Sequence, residues 1–313
     1  MSFDPTVSVV IPTRNRARTV ARAISSACAQ SSPPLEVIVV DDGSTDDTTL
    51  ELQRLRSVWG ARLRVIRHDQ PLGGSGARSI GLAEAHATYV AFLDDDDEWL
   101  PRKLELQVAA MQLTGFGAAT CGYEINYGYK RVPVRPAGGQ TLDAILRENI
   151  YGSASLCIVR ADLARDLGGF DRFLLSGQDW DFWIRIRERT DIAIVQQILA
   201  VYHVQRGNNI SDSATRVFHG SRRVFLKHRR KMTRETRVRC HATLAYLRSV
   251  QSGSLRVRFH ALGRVVGILG LRSSGPYLVR GLVRLLLRDR AFGLARLAYV
   301  ALRNSMVPID RRP

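Results

Sequence analysis

The chain has 313 residues, a net charge of +17, 45% hydrophobic and 24% charged residues. That length and balance suit one large or two modest globular domains and exclude a disordered or fibrous chain. The charge is uneven: residues 1–213 hold 23 Lys+Arg against 26 Asp+Glu, whereas residues 214–313 hold 23 against 3. The basic character belongs to the last third, which therefore meets a different partner from the rest. No run of 18 apolar residues exists, so no transmembrane helix is expected. The opening MSFDPTVSVVIP lacks a basic start and is broken by Pro12, unlike a signal peptide. Four scattered cysteines, Cys28, Cys121, Cys157 and Cys240, form no C-x-x-C pair. They read as packing residues of a reduced, cytosolic protein.

In chain order, residues 6–11 (TVSVVI) are an apolar run of the kind buried on both faces of a parallel sheet. The loop Pro12–Arg16 follows, and then Val20, Ile24, Ala27 and Cys28 recur at helical spacing. Leu35 to Val40 is a second buried strand, ending in Asp41-Asp42-Gly43-Ser44; Asp46 and Asp47 start the next helix. Leu63 to Ile66 is a third strand, and Gly73–Gly76 a flexible turn before a helix through Ala85. The fourth strand opens the stretch YVAFLDDDDEWLP (89–101), in which an apolar run meets four aspartates, Asp94 to Asp97. Adjacent carboxylates at a strand end repel one another. A hard divalent cation among them would relieve this; an acidic turn capping the next helix is the plainer alternative.

Alternating strands and helices predict a doubly wound α/β domain with a mostly parallel sheet. Ligands of such sheets bind beyond the carboxyl ends of the strands. The loops Pro12–Arg16, Asp41–Ser44 and Asp94–Asp97 should therefore converge on one site. After a helix near 101–114 the pattern turns β-rich over 117–134, with another strand over 155–160, a turn at Leu167–Asp171 and a helix opening at Gly177–Trp183. The tail reads as helices over roughly 214–250, 255–271 and 276–304. In the last, Arg280, Arg284 and Arg288 oppose Leu278, Leu282, Leu285 and Leu286, the pattern of a helix lying on an anionic membrane. A helix packed on the catalytic domain with a solvated basic face is the alternative. The domain boundary falls at 213/214.

The segments VSVVIPTRNR (7–16), VIVVDDGSTDDT (37–48), GARSIGLAEA (76–85), YVAFLDDDDEWLP (89–101), LGGFD (167–171) and GQDWDFWIRI (177–186) together resemble the inverting family 2 glycosyltransferases of the GT-A fold. The resemblance covers roughly residues 6–212 and leaves the basic tail outside. It implies that Pro12, Thr13 and Arg14 line the base and ribose of a nucleotide-sugar, and that Asp42 accepts a hydrogen bond from a uracil imide. It implies that Asp94 and Asp95 sit by the ribose and the metal shell, and that Asp96 binds Mn²⁺ or Mg²⁺. Arg78 would add charge at the diphosphate. Asp179 would be the general base that deprotonates the acceptor hydroxyl. Two departures stand out. Gln178 replaces the glutamate often found before the base. Gln205 stands where the family often has a histidine near the metal, so either His203 substitutes or water completes the shell. The absence of a Gln-x-x-Arg-Trp motif points to addition of one sugar at a time.

Trp180 and Trp183 could stack on an acceptor sugar or belong to the core. Gly74-Ser75-Gly76 is no dinucleotide fingerprint, because Ser79 replaces its third glycine and the turn follows the third strand. The expectation is a metal-dependent transferase taking a UDP-sugar to a lipid-linked or cell-surface glycan, peripheral on the inner face of a bacterial cytoplasmic membrane. The competing expectation is an inactive GT-A domain that binds a membrane or nucleic acid through its tail. Nucleic acid is the weaker partner, since the tail has no tryptophan and no recognisable binding fold. Oligomeric state is not legible.

Overall fold

The structure is a computed structural model and describes residues 5–136, 141–204 and 213–251. The chain divides into two compact units, Met1–Gln205 and Arg206–Pro313.

The first unit is built on β1 (Val7–Thr13), buried along its whole length. Parallel partners lie on either side: β2 (Glu36–Asp41) and then β3 (Leu63–Arg67) on one, β4 (Tyr89–Phe92) on the other. The crossovers are α1 (Val20–Cys28), α2 (Thr48–Trp59) and α3 (Gly73–Ala83). Alternation along β1 decides which helix covers which face. Val7, Val9 and Ile11 pack with α1, α2 and α4 (Lys103–Thr114) in one core. Val10 faces the other way, where a Cβ on Gly81 of α3 would come within 2.3 Å of its Cγ1.

Past β4 the sheet changes character. The two-residue strand β5 (Glu98–Trp99), β6 (Ala118–Asn126), β7 (Arg131–Val134), β8 (Ile158–Arg160) and β9 (Ile192–His203) complete nine strands among the described residues. Their order is β3-β2-β1-β4-β8-β6-β9-β5, with β7 on β6. β8 runs antiparallel to both β4 and β6, and β6 runs parallel to β9. The sheet is thus parallel through its first four strands and mixed beyond. Three short helices stand on this half: α5 (Leu142–Arg147), α6 (Ala161–Asp166) and α7 (Gln178–Arg187). α7 docks through Phe182, which meets Phe92 of β4 edge-on at 6.0 Å and Phe170 at 4.4 Å. The four cysteines are free and buried; burial pushes the Cys28 and Cys121 thiols up to about 11 and Cys157 further.

Two local expectations are corrected. Gly73–Gly76 is the first turn of α3, not a flexible turn before it. The stretch 214–250 is two helices, α8 (Ala214–His228) and α9 (Arg234–Gln251), joined by a tight turn at Arg229–Lys231. Within this second unit, Phe225 of α8 meets the His241 ring of α9 at 4.8 Å. The expected helices over 255–271 and 276–304 lie outside the described residues.

Candidate active site

The carboxyl ends of β1, β2 and β4 meet, and side chains tie their loops together. Asn15, in the left-handed region at φ 52°, receives a bond from Thr45 N–H at 2.7 Å. Its own N–H donates to Ser44 Oγ at 3.0 Å. Arg16 N–H donates to Thr48 Oγ1 at 2.8 Å. Thr13 Oγ1 donates to Asp95 at 2.7 Å. Pro12 and Thr13 are buried at the end of β1, and Arg14 is exposed just beyond it. The Asp42 carboxylate is buried and accepts from the N–H groups of Leu72 and Gly73, at 2.7 and 2.8 Å. It holds the start of α3 from a position thirty residues earlier.

Every aspartate of the run is partnered, and some partners are shared. Asp94 is paired with Arg78, and its N–H donates to Ser155 Oγ at 3.0 Å. Asp95 and Asp96 share the Arg16 guanidinium, at 3.8 and 3.7 Å. The Asp96 carbonyl accepts from Arg22 Nη2 at 2.6 Å. Asp97 accepts from Ser155 Oγ at 2.5 Å. Ser155 is therefore a hub, and its carbonyl also holds Trp99 Nε1 at 2.8 Å. Burial, then the Asp96 charge, pushes Asp95 up to about 7 against Thr13 and Arg16. Burial, then Asp94, raises Asp96, while Arg16 and Arg22 oppose. Asp97 rises well above the carboxylate range through burial, Asp94 and Asp96; Ser155 and the His203 amide work the other way.

This modifies the argument from sequence. Four aspartates seemed to call for a metal, yet Arg16, Arg22 and Arg78 already supply positive charge. Among the described residues no group of three His, Cys, Asp or Glu side chains is placed to hold an ion. The donor set nevertheless fits Mg²⁺ or Mn²⁺, which take one or two carboxylates and fill the remaining positions with phosphate oxygens and water. His203 sits nearby, but Glu98 holds its Nε2 at 3.0 Å and Asn126 its Nδ1 at 3.3 Å.

The opposite wall is the start of α7. Asp179 is partly buried; its Oδ1 accepts from Trp180 N–H at 2.8 Å and its Oδ2 from Asn149 Nδ2 at 3.3 Å. Burial raises its pKa, the Trp180 N–H and the Arg78 charge lower it, and Asp94 raises it again. Arg78 joins the two walls. It pairs with Asp94, reaches Gln178 Oε1 at 3.5 Å and lies over the Phe170 ring at 5.3 Å. Burial works against its charge, but Asp94, Asp179 and Asp95 more than compensate and raise its pKa.

The two tryptophans separate. Trp183 is 1% exposed, gives its Nε1–H to Gly152 O at 3.1 Å and packs on Tyr151. It has no face left for a sugar, so the acceptor-stacking expectation does not hold for it. Trp180 is partly exposed and anchored to Ile145 O at 2.6 Å. Sequence reading passed over Arg16, Arg22, Asn149 and Ser155. Arg16 lay inside a segment already singled out; Asn149 and Ser155 carried no signal.

Residues 8–161 match the family "Glycosyl transferase family 2". That stretch, just under half of the chain, carries a family 2 glycosyltransferase domain. Among relatives of this chain, the putative colanic acid biosynthesis glycosyl transferase WcaA of Escherichia coli K12 is 26% identical over 252 residues, covering 76% of this chain and 86% of WcaA. The Escherichia coli UDP-Glc:alpha-D-GlcNAc-diphosphoundecaprenol beta-1,3-glucosyltransferase WfgD is 32% identical over 122 residues, covering 39% of this chain and 47% of its own. The chain spans only about a third of the length of several other curated relatives, which are uncharacterized Rickettsia glycosyltransferases. In fold, S. aureus TarS 1–349 in complex with UDP-GlcNAc superimposes with a TM-score of 0.64 at 19% identity, covering 97% of this chain and 93% of TarS 1–349. The mannosyltransferase PcManGT of Pyrobaculum calidifontis, in complex with GDP-Man and Mn²⁺, gives 0.62 at 20%, covering 97% and 88%. These neighbours carry the GT-A fold, and this chain shares it.

Proposed function

We propose that the protein is a non-processive inverting glycosyltransferase that moves one sugar from a UDP-sugar to a hydroxyl of a lipid-linked or cell-surface glycan. The observation that carries this reading is Arg78, which joins Asp94 on the donor wall to Gln178 beside Asp179 on the acceptor wall. A binding module has no need of a partly buried carboxylate across from its nucleotide site. The name of WfgD pairs a UDP-sugar with a lipid-diphosphate acceptor, and that of WcaA supports an envelope polysaccharide.

Pro12, Thr13 and Arg14 line the base and ribose, and Asp42 uses its remaining lone pairs for the uracil imide. Asp94 and Asp95 flank the ribose, and Arg78 faces the diphosphate. Asp96, with Asp94 beside it, would hold Mn²⁺ or Mg²⁺, which supplies charge neutralisation to the departing diphosphate. His203 is already committed to Glu98 and Asn126, so water and phosphate oxygens would have to supply the other ligands. Asp179 takes the proton of the acceptor hydroxyl as its oxygen forms the new bond to the anomeric carbon. The bond to the nucleoside diphosphate breaks on the opposite face, which inverts the centre in one displacement. Asn149 and the Trp180 N–H keep the carboxylate aimed. Trp180 borders the acceptor.

Asp179→Asn should leave calorimetric UDP binding intact and lower transfer by about 10²–10⁴-fold, the usual share of a general base. Transfer at the wild-type rate would remove Asp179 from the mechanism. A base works only when deprotonated, and burial raises the pKa of this one. The acid limb of kcat/KM should therefore lie above the ordinary carboxylate range and vanish in the variant. Donor hydrolysis without acceptor separates this enzyme from an inactive GT-A binding protein.

Work on a lipid-linked acceptor suits a peripheral position on the inner face of a membrane. Among the described residues no helix is long and apolar enough to cross one. Residues 214–251 hold 11 Lys+Arg against one acidic residue, which supports an anionic surface as partner. The amphipathic stretch 276–304 remains part of that proposal.

A further inference from the structure

Lys103 opens α4 and is fully buried, with 0% of its surface exposed. A cation is poorly placed there, since a helix N-terminus is itself positive and burial strips the ammonium of water. Its partners are uncharged. Nζ donates to Gln107 Oε1 at 2.7 Å, one turn on, and stands 4.0 Å from the centre of the Trp99 ring. Both partners lead to the same place. Trp99 Nε1 donates to the Ser155 carbonyl at 2.8 Å, and Gln107 Nε2 donates to the Leu156 carbonyl at 2.9 Å. Two consecutive carbonyls of the tight turn Ala154–Leu156 are thus held by the two side chains that the ammonium touches. From that turn the Ser155 hydroxyl accepts from Asp94 N–H and donates to Asp97.

We propose that Lys103 is a positioning residue of the donor wall: its ammonium locks Trp99 and Gln107, these fix the Ser155–Leu156 backbone, and Ser155 in turn sets where the aspartate run stands. The lock follows from hydrogen-bond chemistry. An ammonium has three donors and no acceptor, so Gln107 must turn its oxygen toward Lys103 and its NH2 toward Leu156. A charged ammonium is also what holds the electron-rich face of an indole. A methionine would fill similar space but would leave the amide free to flip and the ring without its cation. Burial pushes the Lys103 pKa down to about 8. The Cys121 and Cys157 thiols, the ionisable groups that face it, are held protonated through that range. The lock is therefore set at neutral pH and released as pH rises past 8, where the neutral amine carries a lone pair and weakens both contacts. The inference rests on the nucleotide-sugar reading only for its consequence, that the donor binds less well when the run shifts.

The test begins on the full chain without ligand, by hydrogen exchange read with mass spectrometry at matched pH and corrected for intrinsic rates. In Lys103→Met the peptide holding Asp94 should lose about tenfold in protection at pH 7, the equivalent of one hydrogen bond. Protection over β1 and β2 should stay at the wild-type level, since removing an isolated buried charge also removes its desolvation cost. Between pH 7 and 9 the wild type should fall to the level of the variant, while the variant stays flat. A lysine that only fills the core would move all amides together and give no step near pH 8. Calorimetric titration with UDP and Mn²⁺ then reads the consequence. Lys103→Met and Ser155→Ala should each bind about tenfold more weakly, and the double variant no more weakly than Ser155→Ala, because the two act in series. Wild-type protection at Asp94 in Lys103→Met would overturn the inference, as would a loss spread evenly over the chain or losses that add in the double variant. Wild type that binds no UDP would sink the functional reading and leave the exchange result to decide this one.

Discussion

Arg16 meets Asp95 and Asp96 with a single guanidinium, so a divalent ion approaching Asp96 encounters a positive charge already in place. An opposite charge within about 4–6 Å shifts a carboxylate's proton affinity by about one to three units, and metal affinity responds to the same field. Arg16→Gln should therefore tighten Mn²⁺ binding in the absence of nucleotide by about tenfold, measured by calorimetric titration. Unchanged affinity would mean that Arg16 does not compete. Arg22 should behave differently, because it grips the Asp96 carbonyl and not the carboxylate. At this scale the acids were legible and their counter-ions were not. Aspartates in a row announce themselves in one dimension. Arg16 and Arg22 lie some eighty residues away and reach Asp96 only once β1 and β4 are neighbours. Trp183 shows the opposite limit: its spacing fitted a ligand platform and a core position equally, and only its burial against Tyr151 decided.

α3 carries Arg78 and Gly81 on one buried face, so the helix's distance from the sheet sets where the guanidinium falls. A Cβ at Gly81 would press on Val10, a buried β-branched side chain with little room to turn. Gly81→Ala should destabilise the fold by about 1–3 kcal/mol through overpacking, offset by about 1 kcal/mol of helix propensity. Denaturant midpoints would measure the net loss, and weakened UDP binding should accompany it. A variant as stable as wild type with unchanged affinity would show that β1 and α3 tolerate wider spacing. The parallel strands were readable because each is a short, mostly apolar run. The start of α3 was not. Glycines in series suggest a loop, and the carboxylate that holds this helix end belongs to Asp42, across a crossover. The break in the tail between α8 and α9 was equally hidden, since Arg229–Lys231 continues a helix-compatible composition.

Across the catalytic unit, the division of labour follows the sheet. Its parallel half brings the ends of β1, β2 and β4 together, as the alternating pattern foretold. Its mixed half holds Asn149, Ser155 and Asp179, and the sequence showed only Asp179 because that residue sits in a family motif. Antiparallel insertion of β8 between β4 and β6 brings those residues beside Asp94, and no local periodicity encodes that pairing.

The buried cysteines give this unit a property unrelated to sugars. Thiol reagents attack thiolates, and Cys28, Cys121 and Cys157 are both enclosed and held in the protonated form. Alkylation must therefore wait for the fold to open, and its rate tracks the open population when closing is fast. A ligand that binds only the closed form lowers that population, by about a hundredfold at a hundred times its Kd. Iodoacetamide labelling followed by mass spectrometry would thus rank nucleotide diphosphates with Mn²⁺ by how strongly each slows the reaction. UDP should protect most. If no nucleotide protects these thiols, the donor site drawn around Asp42, Arg78 and Asp96 is wrong.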